Sequence, residues 1–208
     1  MAAHHSDRPY PMLMNVPGLT ILAPATPRDA CGLLLSAVRC DDPVVVFEDA
    51  TLWFRKQELP DEPSDVPIGV ADVVTPGTDV TVVAISGSRP HAETACRELA
   101  EDDISVELID PRTLVPLDTQ AIIDSLRRTR RLVVVEPAHR TCGAAAEIIA
   151  LACEHAFDVL TAAPLRVTTP DVQIPFSPPM EKPLYPDAER IAAAVRTVVG
   201  VPAGSSRR

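Results

Sequence analysis

The sequence predicts an α/β fold with a mostly parallel sheet flanked by helices, on three observations. Val80–Ile85, Arg89–Ala100 and Ser105–Ile109 read in turn as strand, helix and strand, the order that requires a helical crossover between parallel strands. One strand segment, Arg131–Glu136, is almost wholly apolar in its middle, as a central parallel strand should be. A proline-rich acidic stretch over residues 55–67 separates this regular part from a shorter strand-helix-strand unit before it.

In chain order, residues 1–18 are expected to be irregular, because Pro9, Pro11, Pro17 and Gly18 interrupt any repeat. Thr20–Ala23 is a short strand. Thr26-Pro27-Arg28-Asp29 starts a helix: Thr26 caps, Pro27 suits the first turn, and Asp29 sits at the positive end of the dipole. That helix runs to about Arg39, with Ala30, Leu33, Leu34 and Val38 on one face. Pro43–Glu48 is a buried strand. Residues 1–54 are thus one α/β unit.

Residues 55–67 carry Lys56, Glu58, Asp61, Glu62 and Asp65 among Pro60, Pro63 and Pro67, an extended solvated linker. Residues 68–200 form the second unit. After its first strand-helix-strand, Asp118 caps a helix to about Thr129, Arg131–Glu136 is a strand, and Ala144–His155 a helix. Leu165–Thr168 is a strand and Ala188–Val199 the final helix. Residues 201–208 are a Gly/Ser/Arg tail expected to fray.

Composition excludes several classes. A formal charge of -10 opposes nucleic acid and anionic membrane surfaces, whose phosphates repel it. The five cysteines form no CxxC pair and read as reduced residues of a cytoplasmic protein. No apolar run is long enough to span a bilayer, and His4, His5, Asp7 and Arg8 break any signal-peptide pattern.

Few residues offer chemistry. His4-His5-Ser6 reads by itself as a solvated terminus. Ala37 to Asp42 reads as a helix end and turn before Pro43. Gly87 with Arg89, and Thr141-Cys142-Gly143, lie at strand-to-helix turns that can bind anions, yet no GxGxxG or GxxxxGK[ST] is present. Glu136 and Asp171 are isolated acids with no second carboxylate at useful spacing. Asp110-Pro111-Arg112-Thr113-Leu114-Val115-Pro116-Leu117-Asp118 is the most specific motif. Arg112 there can bond turn carbonyls or a carboxylate, and Asp110 and Asp118 hold the turn and the next helix start.

These residues resemble a known family. Val16-Pro17-Gly18-Leu19, Ala23-Pro24-Ala25-Thr26-Pro27, the Asp110–Asp118 motif, Ile174-Pro175-Phe176 and Leu184-Tyr185-Pro186 are similar to the C-terminal part of the β subunit of thiamin-diphosphate-dependent 2-oxoacid dehydrogenases. The resemblance spans roughly residues 4–199. It implies a transketolase C-terminal domain over 68–200, preceded by a partial pyrimidine-binding unit over 1–54. It places His5 on the family's acyl-transfer histidine, with His4 where glutamine is usual. It implies a monovalent cation held by the Ala37 carbonyl and Asp42, with Cys40 where aspartate is usual. Asp110, Arg112 and Asp118 take structural or interfacial roles.

The implied reaction is oxidative decarboxylation of pyruvate or a branched-chain 2-oxoacid with acyl transfer to lipoamide. Thiamin diphosphate and magnesium belong to the assembled enzyme and are not expected on the isolated chain. The implied partners are an α subunit, a lipoyl acyltransferase core and further copies of the chain. The family's longer N-terminal portion is expected to lie outside these residues, which leaves a sheet edge that a partner would cover. The alternative reading is a non-catalytic paralogue that serves as a dimerisation and docking module.

Overall fold

The computed structural model describes residues 3–62 and 64–200; the expected tail at 201–208 lies outside them. Two sheets are present among these residues. The smaller joins β1 (Thr20–Leu22), β2 (Val44–Val46) and β6 (Thr113–Val115) in the order β2-β1-β6. The larger joins β3 (Asp72–Thr75), β4 (Val80–Ala84), β5 (Val106–Asp110), β7 (Leu132–His139) and β8 (Leu165–Thr169) in the order β3-β5-β4-β7-β8. Every pairing in the larger sheet is parallel except β3 on β5, an antiparallel edge.

Helices cover both faces of the larger sheet. On one lie α4 (Thr119–Thr129) and α5 (Ala144–Ala156), packing Ile122, Leu126 and Ile148 on Val83, Ile85 and Val134. On the other lie α3 (Arg89–Glu101) and α7 (Ala188–Val199), packing Leu99, Ile191 and Val195 on Val82, Ala84, Val133 and Val135. Neighbouring strand residues thus point to opposite helical layers, as the period of two in a strand dictates. This is the expected α/β arrangement, and the apolar runs of β4 and β7 are its covered centre. No helix among the described residues is long and apolar enough to cross a membrane.

The smaller sheet carries α2 (Pro27–Val38), begun as expected: Thr26 Oγ1 accepts from the Asp29 N–H at 3.1 Å, and Pro27 occupies the first turn. Leu22, Leu33 and Val66 close a small core between strand and helix. Val66 belongs to the stretch expected to be solvated throughout. Residues 55–62 are exposed, but Val66 is buried, and its carbonyl accepts from Ser36 Oγ at 2.6 Å. An apolar residue in an acidic segment is drawn onto the apolar surface of Leu22 and Leu33.

Three further elements differ from expectation. α1 (Tyr10–Met14) forms inside the proline-rich start, because Pro11 falls in the first turn, where a missing N–H breaks no helical bond. β3 is short and exposed on alternate residues, a pattern a four-residue edge cannot make conspicuous. β6 lies inside the Asp110–Asp118 motif, which was expected to be only a turn. It is a strand because β1 pairs with it, Ile21 opposite Val115 and Leu22 opposite Thr113. The second unit therefore completes the first unit's sheet on one side. β2 remains the outer strand on the other, each residue half-buried.

Candidate functional site

The order β3-β5-β4-β7-β8 reverses direction between β4 and β7. In sheets of this kind, ligand sites form beyond the carboxyl ends of the strands at such a reversal. A cavity of about 430 Å³ lies there. Ser86, just after β4, and Pro137, in the last part of β7, form part of its floor. Ser86 has a left-handed φ of 46°, and its Oγ donates to the Pro24 carbonyl at 3.1 Å, which ties the floor to the end of β1. Phe47 and Trp53 supply an apolar wall from the first unit. Pro178, Glu181 and Tyr185 close the cavity from the C-terminal segment.

The N-terminal segment forms the mouth. Ala3–His5 is a single 3-10 helix with no buried residue, and the His4 and His5 rings lie 4.2 Å apart between centroids. His5 is exposed and borders the cavity. Ser6 turns inward and is buried, its Oγ donating to Glu181 Oε1 at 2.6 Å. Tyr185 donates its hydroxyl to the same oxygen at 2.9 Å. The Ser6 hydrogen bond, followed by that of Tyr185, outweighs the opposing effect of burial and holds the Glu181 carboxyl down to about 2.

Arg8 makes the second anchor. It donates from Nε to Asp49 Oδ2 at 2.9 Å, and from Nη1 to the Ser6 carbonyl at 2.7 Å. Its guanidinium also sits 4.5 Å above the Tyr185 ring. Burial works against the Asp49 charge, but Arg8 and then the Thr51 donors outweigh it, so its pKa lies below the ordinary value. Asp49 packs so tightly on the start of α3 that a Cβ at Gly87 would stand 2.6 Å from its Oδ2.

Below the floor, Glu136 is fully buried and accepts from the Ala144 and Ala145 N–H groups, each at 2.8 Å. It therefore caps α5, and burial pushes its pKa up in spite of those two donors. Among the described residues, the Tyr10 hydroxyl is buried with no partner in hydrogen-bond geometry. The Glu136 carboxylate is nonetheless near enough to help burial raise the phenol's pKa well above its ordinary value.

Asp110 and Arg112 lie elsewhere, in a cluster of charges between the two units. Arg89 reaches Asp110 at 2.9 Å, Asp72 at 3.3 Å and Asp29 at 3.4 Å, and pairs with Glu93 at 3.0 Å. Arg112 Nε lies 3.0 Å from Asp29 Oδ1, close enough for an ion pair although not aligned as a hydrogen bond, and its Nη2 is 3.3 Å from Asp72. Asp118 caps α4 through the Ala121 N–H at 3.0 Å and accepts from the Ala71 N–H at 2.9 Å. The Ala37 carbonyl accepts from the Cys40 N–H at 3.2 Å, while Asp42 is exposed in the turn beyond. The structure thus brings His5 to the cavity, gathers Asp110 and Arg112 at the interface between the units, and leaves Ala37 and Asp42 apart from both.

Arg8, Asp49, Glu181 and Tyr185 escape sequence reasoning. Ser6 and Glu181 are 175 residues apart, and no local pattern connects them. The cluster of prolines around residues 175–186 is the one hint that this irregular segment is pinned in place.

Comparisons with known proteins agree with this fold. The profile described as "Transketolase, C-terminal domain" matches residues 69–191, and "Transketolase, pyrimidine binding domain" matches residues 1–53. Similar chains include the "Acetoin:2,6-dichlorophenolindophenol oxidoreductase subunit beta" of Bacillus subtilis (strain 168), 39% identical over 97% of this chain and 59% of that one. The "Pyruvate dehydrogenase E1 component subunit beta" of Acholeplasma laidlawii is 41% identical over 93% of this chain and 59% of that one. The chain thus spans about three fifths of the length of these relatives. A solved structure titled "Split gene transketolase, inactive beta4 tetramer" superposes with a TM-score of 0.78 at 22% identity, over 96% of this chain and 63% of that one. This last likeness is one of fold.

Proposed function

We propose, for a chain that belongs to the transketolase C-terminal domain family, that it works as part of the β subunit of a thiamin-diphosphate-dependent dehydrogenase. The substrate is pyruvate or a branched-chain 2-oxoacid, and the acyl group passes to lipoamide. The observation that carries this reading is the position of His5, exposed at the mouth of a cavity built by both units. The named relatives, β subunits similar along nearly the whole chain, support it.

The described residues offer no ready-made site for the cofactor's metal. Among them no group of three or more His, Cys, Asp or Glu side chains could hold a metal ion. Of the acids that line the cavity, Asp7, Glu48, Asp49 and Glu181, two are engaged, Asp49 by Arg8 and Glu181 by Ser6 and Tyr185. Thiamin diphosphate and magnesium are assigned to the assembled enzyme. This chain's own contribution is proton exchange at a His5 ring nitrogen as an acyl group moves onto the sulfur of a lipoyl arm. Imidazole suits that task near neutral pH. The cavity's apolar wall of Phe47 and Trp53 suits an aliphatic arm. The proposed partners are an α subunit, a lipoyl acyltransferase and further copies of the chain, in the cytoplasm. The Ala37 carbonyl and Asp42 are proposed for a monovalent cation, and Asp110, Arg112 and Asp118 for holding the units together.

The test is recovery of the chain from its own cells with whatever binds it, then assay of that assembly. An α subunit and an acyltransferase should co-purify, and the assembly should decarboxylate one of these substrates when given thiamin diphosphate and magnesium. In it, His5→Ala should lower the ratio of lipoamide acylation to decarboxylation roughly 100-fold or more. Recovery of the chain with neither partner would leave the docking-module reading in its place.

A further inference from the structure

We infer that Glu181 is a positioning residue for the His5 imidazole: its carboxylate holds Ser6 Oγ and so fixes the Ala3–His5 turn at the mouth of the cavity. This rests on the reading of His5 as the acyl-transfer residue. Three observations carry it. A surface 3-10 helix of three residues with no buried side chain has no packing of its own to hold it in one place. The residue after it is buried and donates a short hydrogen bond, 2.6 Å, to Glu181 Oε1, and bonds to a charged acceptor are the strong ones. Arg8 bonds the Ser6 carbonyl at 2.7 Å, so Ser6 is held from its backbone and its side chain together.

The anchor is itself held. Glu181 ends α6 (Pro178–Glu181), a single turn that could not stay fixed alone. Tyr185 donates to its Oε1. Arg190, on α7, donates to the carbonyls of Leu184 and Tyr185 at 3.1 and 2.9 Å, and to the Thr168 carbonyl of β8 at 2.8 Å. A continuous path thus runs from β8, an edge strand of the larger sheet, through Arg190, Tyr185 and Glu181 to Ser6. The exposed histidine takes its position from the C-terminal unit, across the cavity it serves. Precise placement matters because small displacements of a reacting group cost large factors in rate.

The test compares Glu181→Ala, Glu181→Gln, Ser6→Ala and the Ser6→Ala/Glu181→Ala pair with the parent and with His5→Ala, in the assembled enzyme. The reading is the ratio of lipoamide acylation to decarboxylation. Glu181→Ala and Ser6→Ala should each lower that ratio about tenfold. Glu181→Gln, whose amide oxygen can still accept from Ser6, should recover most of it. The pair should be no worse than Glu181→Ala alone, since that change already removes the contact that Ser6→Ala breaks. General loss of structure would lower both rates, leave the ratio alone and give no rescue by Gln. A ratio within twofold of the parent in Glu181→Ala, with His5→Ala still severe, overturns the inference and leaves the function standing. A ratio unmoved by His5→Ala overturns the function, and the positioning role falls with it.

Discussion

Asp110 shows how far a single carboxyl departs from its ordinary behaviour. It is fully buried, and burial pushes it up from 3.8 to about 6 against the pull of the Arg89 guanidinium. Its neighbourhood explains why. Asp29, Asp72, Glu93 and Asp110 share Arg89 and Arg112, so four acids face two guanidinium groups. The folded chain binds the Asp110 proton more tightly than the unfolded chain, so this residue contributes most to stability below about pH 4. That contribution is lost as pH rises through 6. Urea unfolding across pH 4–7 should show wild-type stability falling relative to Asp110→Asn by up to about 3 kcal/mol. Parallel curves would remove Asp110 as the titrating group. Sequence reasoning placed Asp110 and Arg112 in a structural motif, but their partners Asp29, Asp72 and Arg89 come from three other elements and could not be read from spacing.

The elements follow local rules where their ends carry the signal. Thr26 and Asp118 are capping residues in the chain and cap α2 and α4 in the structure. Asp118 does more than a cap, because its second oxygen holds the Ala71 N–H just before β3. Asp118→Ala should therefore cost about 2–3 kcal/mol in thermal or urea unfolding, more than the roughly 1 kcal/mol of an ordinary cap. A loss no larger than a simple cap's would mean that the Ala71 contact contributes nothing. The turn before β4 is more sensitive still. A Cβ at Gly77 would lie 2.1 Å from the Val106 carbonyl carbon and 2.2 Å from the Glu107 nitrogen, both backbone atoms. Gly77→Ala must then displace β5, with an expected cost of about 4 kcal/mol or more. Near-native stability would show that the strand moves freely. α1, β3 and β6 were missed because each takes its form from its setting: a proline position, an edge, a partner strand from the other unit.

At the scale of the whole molecule, β6 joining the first unit's sheet and the Arg89–Asp29 pair make the two units one body. Trypsin should cut first at Arg55 or Lys56, which are exposed, and the two fragments should stay together on gel filtration. Separation of the fragments would show that β1–β6 pairing and the charge cluster are too weak to hold the units. Light scattering should find the chain self-associated, because β2 is an outer strand of half-buried valines; a sharp monomer counts against that. The α/β class, the parallel centre, the order of the helices and strands in the second unit besides β3 and β6, and most of their limits were legible in the sequence, because they depend on periodicity, caps and turn residues within a few positions of one another. The family and the candidate His5 were legible as well, through short motifs. The walls of the cavity, the anchoring of Ser6 by Glu181, the pairing of Arg8 with Asp49 and the shared charge cluster were decided by tertiary structure alone. Each joins residues that the chain keeps tens to more than a hundred positions apart, so packing between elements, and no local pattern, brings them together.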